Sequence, residues 1–195
     1  MNYYNIKIED AKNKNIPTEC EDVLVGPRNT DEVSLFDTQI QYSISQEFVN
    51  RIKLVLAGRR GYGYEKVKKI IKEKGLENDI IELGWTDQED LPYLLAGAEL
   101  FTFLSFYEGF GIPVLEAMAC GVPVLASDIP ALREVASDVA LFVNPNEPKE
   151  IADGILKLLS DEKLRCAMVK GGLEQAQKFS WEKCGRESLE VLVCK

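Results

Sequence analysis

At 195 residues, 46% of them apolar and 28% charged, the chain has the length and composition of one globular domain that buries its core without a staple. A net charge of −9 argues against a nucleic-acid binder, because phosphate backbones reward clustered Lys and Arg, though it leaves room for a phosphate held locally by backbone N–H groups. The absence of histidine removes the commonest general base, the commonest metal ligand and the Ser-His-Asp triad. The five cysteines are scattered and form no C-x-x-C, so they read as free thiols in a reducing compartment rather than a zinc or redox site. With no signal peptide and no run of 18 apolar residues, the expected location is the cytoplasm.

Residues 1–21 are polar and read as a weakly structured lead-in to a domain over residues 22–195. Val23 to Gly26 predicts a short strand. Val33, Phe36, Ile40, Ile44 and Phe48 then fall near one helical face, with Thr30 as the cap. Ile52 to Ala57 is a buried strand ending at Gly58, and a helix from Tyr64 to Lys74 stops at Gly75. Further strands are predicted at Ile80 to Leu83, Glu99 to Leu104, Pro123 to Ala126 and Ala140 to Val143. Between them lie helices at Asp87 to Ala96 and Ile112 to Cys120 and a helical turn at Leu132 to Ala136. Three helices close the pattern, near residues 147–160, 161–178 and 181–193. Leu156, Leu159 and Leu164 read as core positions, and Ser180 as the cap of the last helix.

Strands alternating with helices at this spacing predict an α/β fold: βαβ units forming one parallel sheet with helices on both faces. In such folds ligands sit outside the carboxyl ends of the strands. The informative loops are therefore those after Ala57, Leu83, Leu104 and Ala126.

The loop after Leu104 carries the densest chemistry. Pro113 suits a first helical turn, where its missing N–H costs nothing. Gly109 and Gly111 let the backbone approach a ligand, so free N–H groups around Phe110 to Ile112 would face the crevice. With the helix dipole they form an anion site suited to a diphosphate. Glu116 lies one turn into the helix and leans back toward its start, within reach of a hydroxyl beside that phosphate. Glu108 precedes the helix and faces the crevice from the other side. Taken singly these features are weak: in a chain with 32 acidic residues, a Glu-x7-Glu spacing carries no information by itself.

Read together, Glu108-Gly-Phe-Gly-Ile-Pro-Val-Leu-Glu116-Ala-Met-Ala-Cys-Gly-Val-Pro-Val resembles the E-x7-E signature of the large retaining glycosyltransferase family 4. That family has the GT-B architecture of two Rossmann-like lobes. The surroundings resemble it in the same order. They are Leu56 to Gly63, then Leu83-Gly84-Trp85-Thr86 with Glu89-Asp90-Leu91, then Ser127 to Pro130, Arg133-Glu134-Val135 and Phe142 to Pro145. The likeness covers about residues 50–192. It implies that Glu108 contacts hydroxyls of the donor sugar and that the backbone at Phe110, Gly111 and Ile112 holds the diphosphate. It further implies that Glu116 binds the ribose, that Trp85 and Thr86 lie against the base, and that Gly58 and Arg59 border the nucleotide.

The chain departs from that family in two places. Members carry an Arg and a Lys after the first strand of this lobe, to neutralise the leaving diphosphate. Here Arg28 stands for the Arg, no Lys follows, and Asp31 and Glu32 bring the opposite sign. No D-x-D occurs, so neither a divalent metal nor another cofactor is implied. The second departure is the acceptor lobe, for which these residues offer no stretch.

The expected protein is thus one Rossmann-like lobe, the donor-binding domain of a metal-independent hexosyltransferase that acts with retention on a nucleotide-diphosphate sugar. Glu108 and Arg28 are its catalytic candidates. Its partners are the nucleotide-sugar and a separate acceptor-binding lobe or chain, with membranes reached only by way of family acceptors. Alone, the chain is expected to bind nucleotide weakly and transfer sugar poorly, and residues 181–195 to expose an apolar face. The competing readings are a non-catalytic nucleotide-sugar-binding module and a GT-B nucleotide-sugar epimerase relative.

Overall fold

The computed structural model describes residues 23–26 as backbone and residues 52–61 and 63–193 in full. The helix predicted from Thr30, the lead-in over residues 1–21, and Arg28 lie outside the described residues.

Six strands form one sheet: β1 (Val23–Gly26), β2 (Lys53–Ala57), β3 (Ile80–Gly84), β4 (Ala98–Phe103), β5 (Val124–Ser127) and β6 (Leu141–Val143). The described helices are α1 (Tyr64–Lys74), α2 (Leu91–Ala96), α3 (Ile112–Ala119), α4 (Pro130–Ala136), α5 (Pro148–Ser160), α6 (Glu162–Ala176) and α7 (Trp181–Val193). The strand order is β3-β2-β1-β4-β5-β6 and every pairing is parallel, with Val25 opposite Val55 and Phe101 opposite Val124. The predicted parallel sheet is therefore what the chain forms. The direction of winding reverses between β1 and β4, which makes the carboxyl ends of these two strands the switch point of the sheet.

Parallel strands covered on both faces read as continuous apolar runs, and all four residues of β5 are buried. Their side chains alternate between two cores. Phe101, Phe103, Val124 and Ala126 join Leu95 of α2, Val114 and Met118 of α3, and Leu132 and Val135 of α4. Leu100, Leu125 and Val143 join Ile151, Ile155 and Leu158 of α5 on the other side. Leu159 belongs to that second core, whereas Leu164 packs against it half-buried and Leu156 is also half-buried.

Prolines set the helix starts more sharply than the apolar pattern does. α2 begins at Leu91, not Asp87. A start at Asp87 would place Pro92 where its missing N–H is needed, whereas a start at Leu91 puts it in the first turn. α4 begins at Pro130, two residues before the predicted turn, for the same reason. α1 ends as its glycine predicts: Gly75 is left-handed at φ 67°, and its N–H and that of Leu76 close on the carbonyls of Lys72 and Ile71. α6 starts from Asp161, which accepts the Leu164 N–H at 2.9 Å.

Every residue of α7 is exposed, including Trp181, Leu189, Val191 and Leu192. The expected bare apolar face is present over its described length. Ser180 caps the helix, accepting the Lys183 N–H at 3.1 Å.

Candidate functional site

All the loops that sequence reasoning singled out leave the carboxyl edge of the sheet. After β4 the chain passes through buried Leu104 and Ser105 and turns into α3 through Gly109, Phe110 and Gly111. Gly111 has φ 105° and ψ 44°, a left-handed conformation that L side chains rarely adopt. A Cβ there would also lie 2.4 Å from Cδ2 of the fully buried Leu132, so packing and backbone both demand glycine. Pro113 falls in the first turn of α3, and the Val114 N–H bonds the Gly111 carbonyl at 3.0 Å. Among the described residues no side chain caps the N–H groups of Phe110, Gly111 or Ile112. They form an uncapped, electropositive helix start beside the switch point.

The two glutamates sit differently. Glu108 is part-buried and accepts a hydrogen bond from the Ser105 hydroxyl at 2.8 Å, which fixes one carboxylate oxygen. Ser105, itself buried, is a residue that sequence reasoning passed over. Its signal was its place one residue past the core at the strand end. Glu116 is half-buried, and its carboxylate makes no hydrogen bond or salt bridge among the described residues. Burial pushes its carboxyl above the ordinary range. The same burial, helped by the charge of Glu116, pushes the Cys120 thiol up to about 11, which leaves it inert at neutral pH. Phe106, Phe110 and Ile112 line the loop with apolar surface, and Tyr107 is 87% exposed.

The second group gathers after β2 and β3. The Gly58 N–H bonds the Gly84 carbonyl at 2.6 Å, drawing the two loops together. Arg59 then lies with its guanidinium 4.5 Å from the centre of the half-exposed Trp85 ring, a cation–π contact between two predicted site residues. The Thr86 hydroxyl beside it is buried and has no hydrogen-bond partner among the described residues. In the strand order β2 and β3 lie two and three strand spacings from β4, roughly 10 and 14 Å across the sheet from the strand that leads into the α3 turn.

Two further clusters were given no role by the sequence reading. Arg60 and Lys68 both approach the Tyr64 ring, whose hydroxyl donates to Glu82. That hydrogen bond is the main cause of a raised Tyr64 pKa. After β5, Asp128 pairs through both carboxylate oxygens with Arg133, which stacks on Phe142. The hydrogen bond to Arg133 lowers the Asp128 pKa, and the pair taken together is close to neutral.

Comparison with known proteins agrees with this fold. The family model for glycosyl transferases group 1 matches residues 41–175. The chain is 42% identical over 141 residues to the O-antigen chain mannosyltransferase B of Escherichia coli, covering 72% of this chain and 37% of that protein. It is 28% identical over 180 residues to an uncharacterized glycosyltransferase of Methanocaldococcus jannaschii, covering 86% of this chain and 46% of that one. Among solved structures, Anabaena Alr3699/HepE in complex with UDP superposes with a TM-score of 0.78 at 22% identity, over 100% of this chain and 55% of that one. The C-terminal domain of a glycosyl transferase group 1 family protein (LpcC) of Francisella tularensis superposes with a TM-score of 0.67 at 24% identity, over 89% of this chain and 92% of that one. The chain spans less than half the length of the curated relatives it matches. By its family match and its fold, the chain belongs to the glycosyl transferases of group 1 and is built as a GT-B C-terminal domain.

Proposed function

We propose that this domain holds a nucleoside-diphosphate sugar as the donor half of a metal-independent, retaining hexosyl transfer. The observation that carries the reading is the uncapped start of α3 at the switch point, with Gly111 kept free of a Cβ by Leu132. In this reading the N–H groups of Phe110 to Ile112 hold the diphosphate and Glu116 takes the ribose. The Trp85–Arg59 pair lies against the base, with the orphan Thr86 hydroxyl beside it. Glu108, steadied by Ser105, takes hydroxyls of the donor sugar. Mannosyltransferases among the relatives make mannose the first hexose to test.

The acceptor hydroxyl would attack the anomeric carbon from the face the diphosphate leaves. The new glycosidic bond forms as the bond to the diphosphate oxygen breaks, and the hydroxyl proton passes to that departing oxygen. The domain contributes orientation and stabilisation of the departing charge, through the α3 dipole and Arg28 or Arg59. Loss of one such stabiliser costs about 100- to 1000-fold in rate. The absence of a Lys after Arg28, with Asp31 and Glu32 close behind, favours a second reading of a binding module that catalyses nothing unaided.

A thermal-shift panel of UDP, GDP and their hexose conjugates tests both readings. At 100 times Kd the bound ligand stabilises by about 2.7 kcal/mol, a clear rise in Tm. The chain alone should show this shift with little or no sugar transfer. A panel without any shift refutes the donor site, and brisk transfer by the chain alone refutes its dependence on another lobe.

A further inference from the structure

The turn Gly109-Phe110-Gly111 contains a single side chain. A Cβ at Gly109 would meet nothing within 4 Å, so nothing packs the backbone ahead of Phe110, whereas Gly111 behind it is left-handed and backed by Leu132. Leu132 and the Val114 N–H hold the turn at Gly111; ahead of it, the side-chain handle on these N–H groups is the Phe110 ring. That ring is 41% exposed and stands edge-on to Phe179, with centroids 5.7 Å apart and planes at 78°.

Phe179 comes from the far end of the chain, just after α6, and its own position is firmly set. α6 lies against α3 at Gly172, where a Cβ would sit 3.3 Å from Cγ of Met118. One turn on, the buried Gln175 donates to the Val135 carbonyl of α4 at 2.8 Å and accepts from Lys178 at 2.7 Å. The Phe179 N–H closes on the Ala176 carbonyl at 3.2 Å, and the ring packs against the core around α3 and α4. α6 therefore grips α3 along its length and, through Phe179, at the turn that opens it.

We propose that Phe179 is a positioning residue of the donor site. Held by α6, it braces Phe110 and so fixes the N–H groups that receive the diphosphate. The inference rests on the reading of the α3 start as the diphosphate site. It adds that a residue about 70 positions away in sequence governs that site's geometry.

The test uses the whole chain, with Phe179→Ala, Phe179→Leu and Phe179→Tyr compared with wild type by circular dichroism, amide hydrogen exchange and calorimetry with UDP and GDP. Phe179→Ala should keep the wild-type dichroism and speed exchange at Val114, whose N–H closes the turn on the Gly111 carbonyl. It should also weaken whichever diphosphate binds by roughly 3- to 10-fold, the range of an aromatic pair. Phe179→Tyr, which keeps the ring, should restore both. Phe179→Leu, which keeps apolar bulk without an edge, should restore neither fully. A folded Phe179→Ala with wild-type exchange in the turn and wild-type affinity overturns the brace, and so does complete rescue by Phe179→Leu. If wild type binds neither diphosphate, the nucleotide reading fails and the positioning role fails with it. Altered exchange in Phe179→Ala would then report packing alone.

Discussion

Gly111→Ala is expected to lower stability by about 2–5 kcal/mol and to abolish nucleotide binding. Two independent costs add. A left-handed conformation costs an L residue about 1–2 kcal/mol, and the backbone here stands at φ 105°. The methyl would also lie 2.4 Å from Cδ2 of Leu132. A leucine side-chain end can often swing aside, but Leu132 is fully buried within the α3–α4 core, so overpacking should cost about 1–3 kcal/mol more. Relief comes only by moving the turn, and the turn is the proposed diphosphate site. Gly109→Ala is the control. With open space around its Cβ and no positive φ, it should stay within about 0.5 kcal/mol of wild type. Urea unfolding and calorimetry with UDP and GDP read both effects. A Gly111→Ala variant as stable as Gly109→Ala would show that the turn has other conformations at hand.

Glu116→Ala should weaken a bare nucleoside diphosphate by about 10- to 150-fold, the cost of a lost hydrogen bond to a charged group. Glu108→Ala should change it far less, because the ligand of Glu108 is the sugar, which the bare diphosphate lacks. Equal losses in the two variants would mean that the division between ribose and sugar is wrong. Glu116 also carries a pH signature. Its pKa is raised in the folded state because burial disfavours the carboxylate. The folded chain therefore holds the proton more tightly than the unfolded chain. Stability falls as pH rises from the unfolded value, near about 4.3, through the folded one. Glu116→Gln should thus be more stable than wild type at pH 7, with the difference closing below pH 4, even as it binds nucleotide less well. A Glu116→Gln variant less stable than wild type at pH 7 would show that the carboxylate has a structural partner.

Most of the sheet was legible because its signals are local. The apolar run of β2, the glycines at 58, 75 and 84, and the helical period of α1 each depend on residues within a few positions of one another. The α3 turn was legible for the same reason: Gly-x-Gly ahead of a proline is a sequence-local device. The α2 start was misplaced because the apolar pattern was followed past Pro92, although a proline in that register already forbids it. What stayed hidden was long-range. Nothing near Gly111 announces Leu132, nothing near Phe110 announces Phe179, and the Arg59–Trp85 stack needs β2 and β3 side by side before it exists. The contact between Ser105 and Glu108 spans three residues, yet it depends on a loop conformation that no periodicity encodes.

α7 has a melting behaviour of its own. Thirteen residues with no buried side chain fall near the length, about 12–15 residues, at which a lone helix is marginal in water. Its helix–coil equilibrium is therefore uncoupled from the cooperative unfolding of the sheet and its two cores. Heating should give a shallow early loss of helical signal, followed by one sharp transition. Trypsin under native conditions should cut after Lys183 or Arg186 well before it reaches the α/β body; resistance of both sites would show that α7 is held after all. A chain clipped after Lys183 still carries Phe179 and the anchors of α6, so it should bind nucleotide as tightly as the intact one. The helix with the most exposed apolar surface would then be the part the donor site can do without.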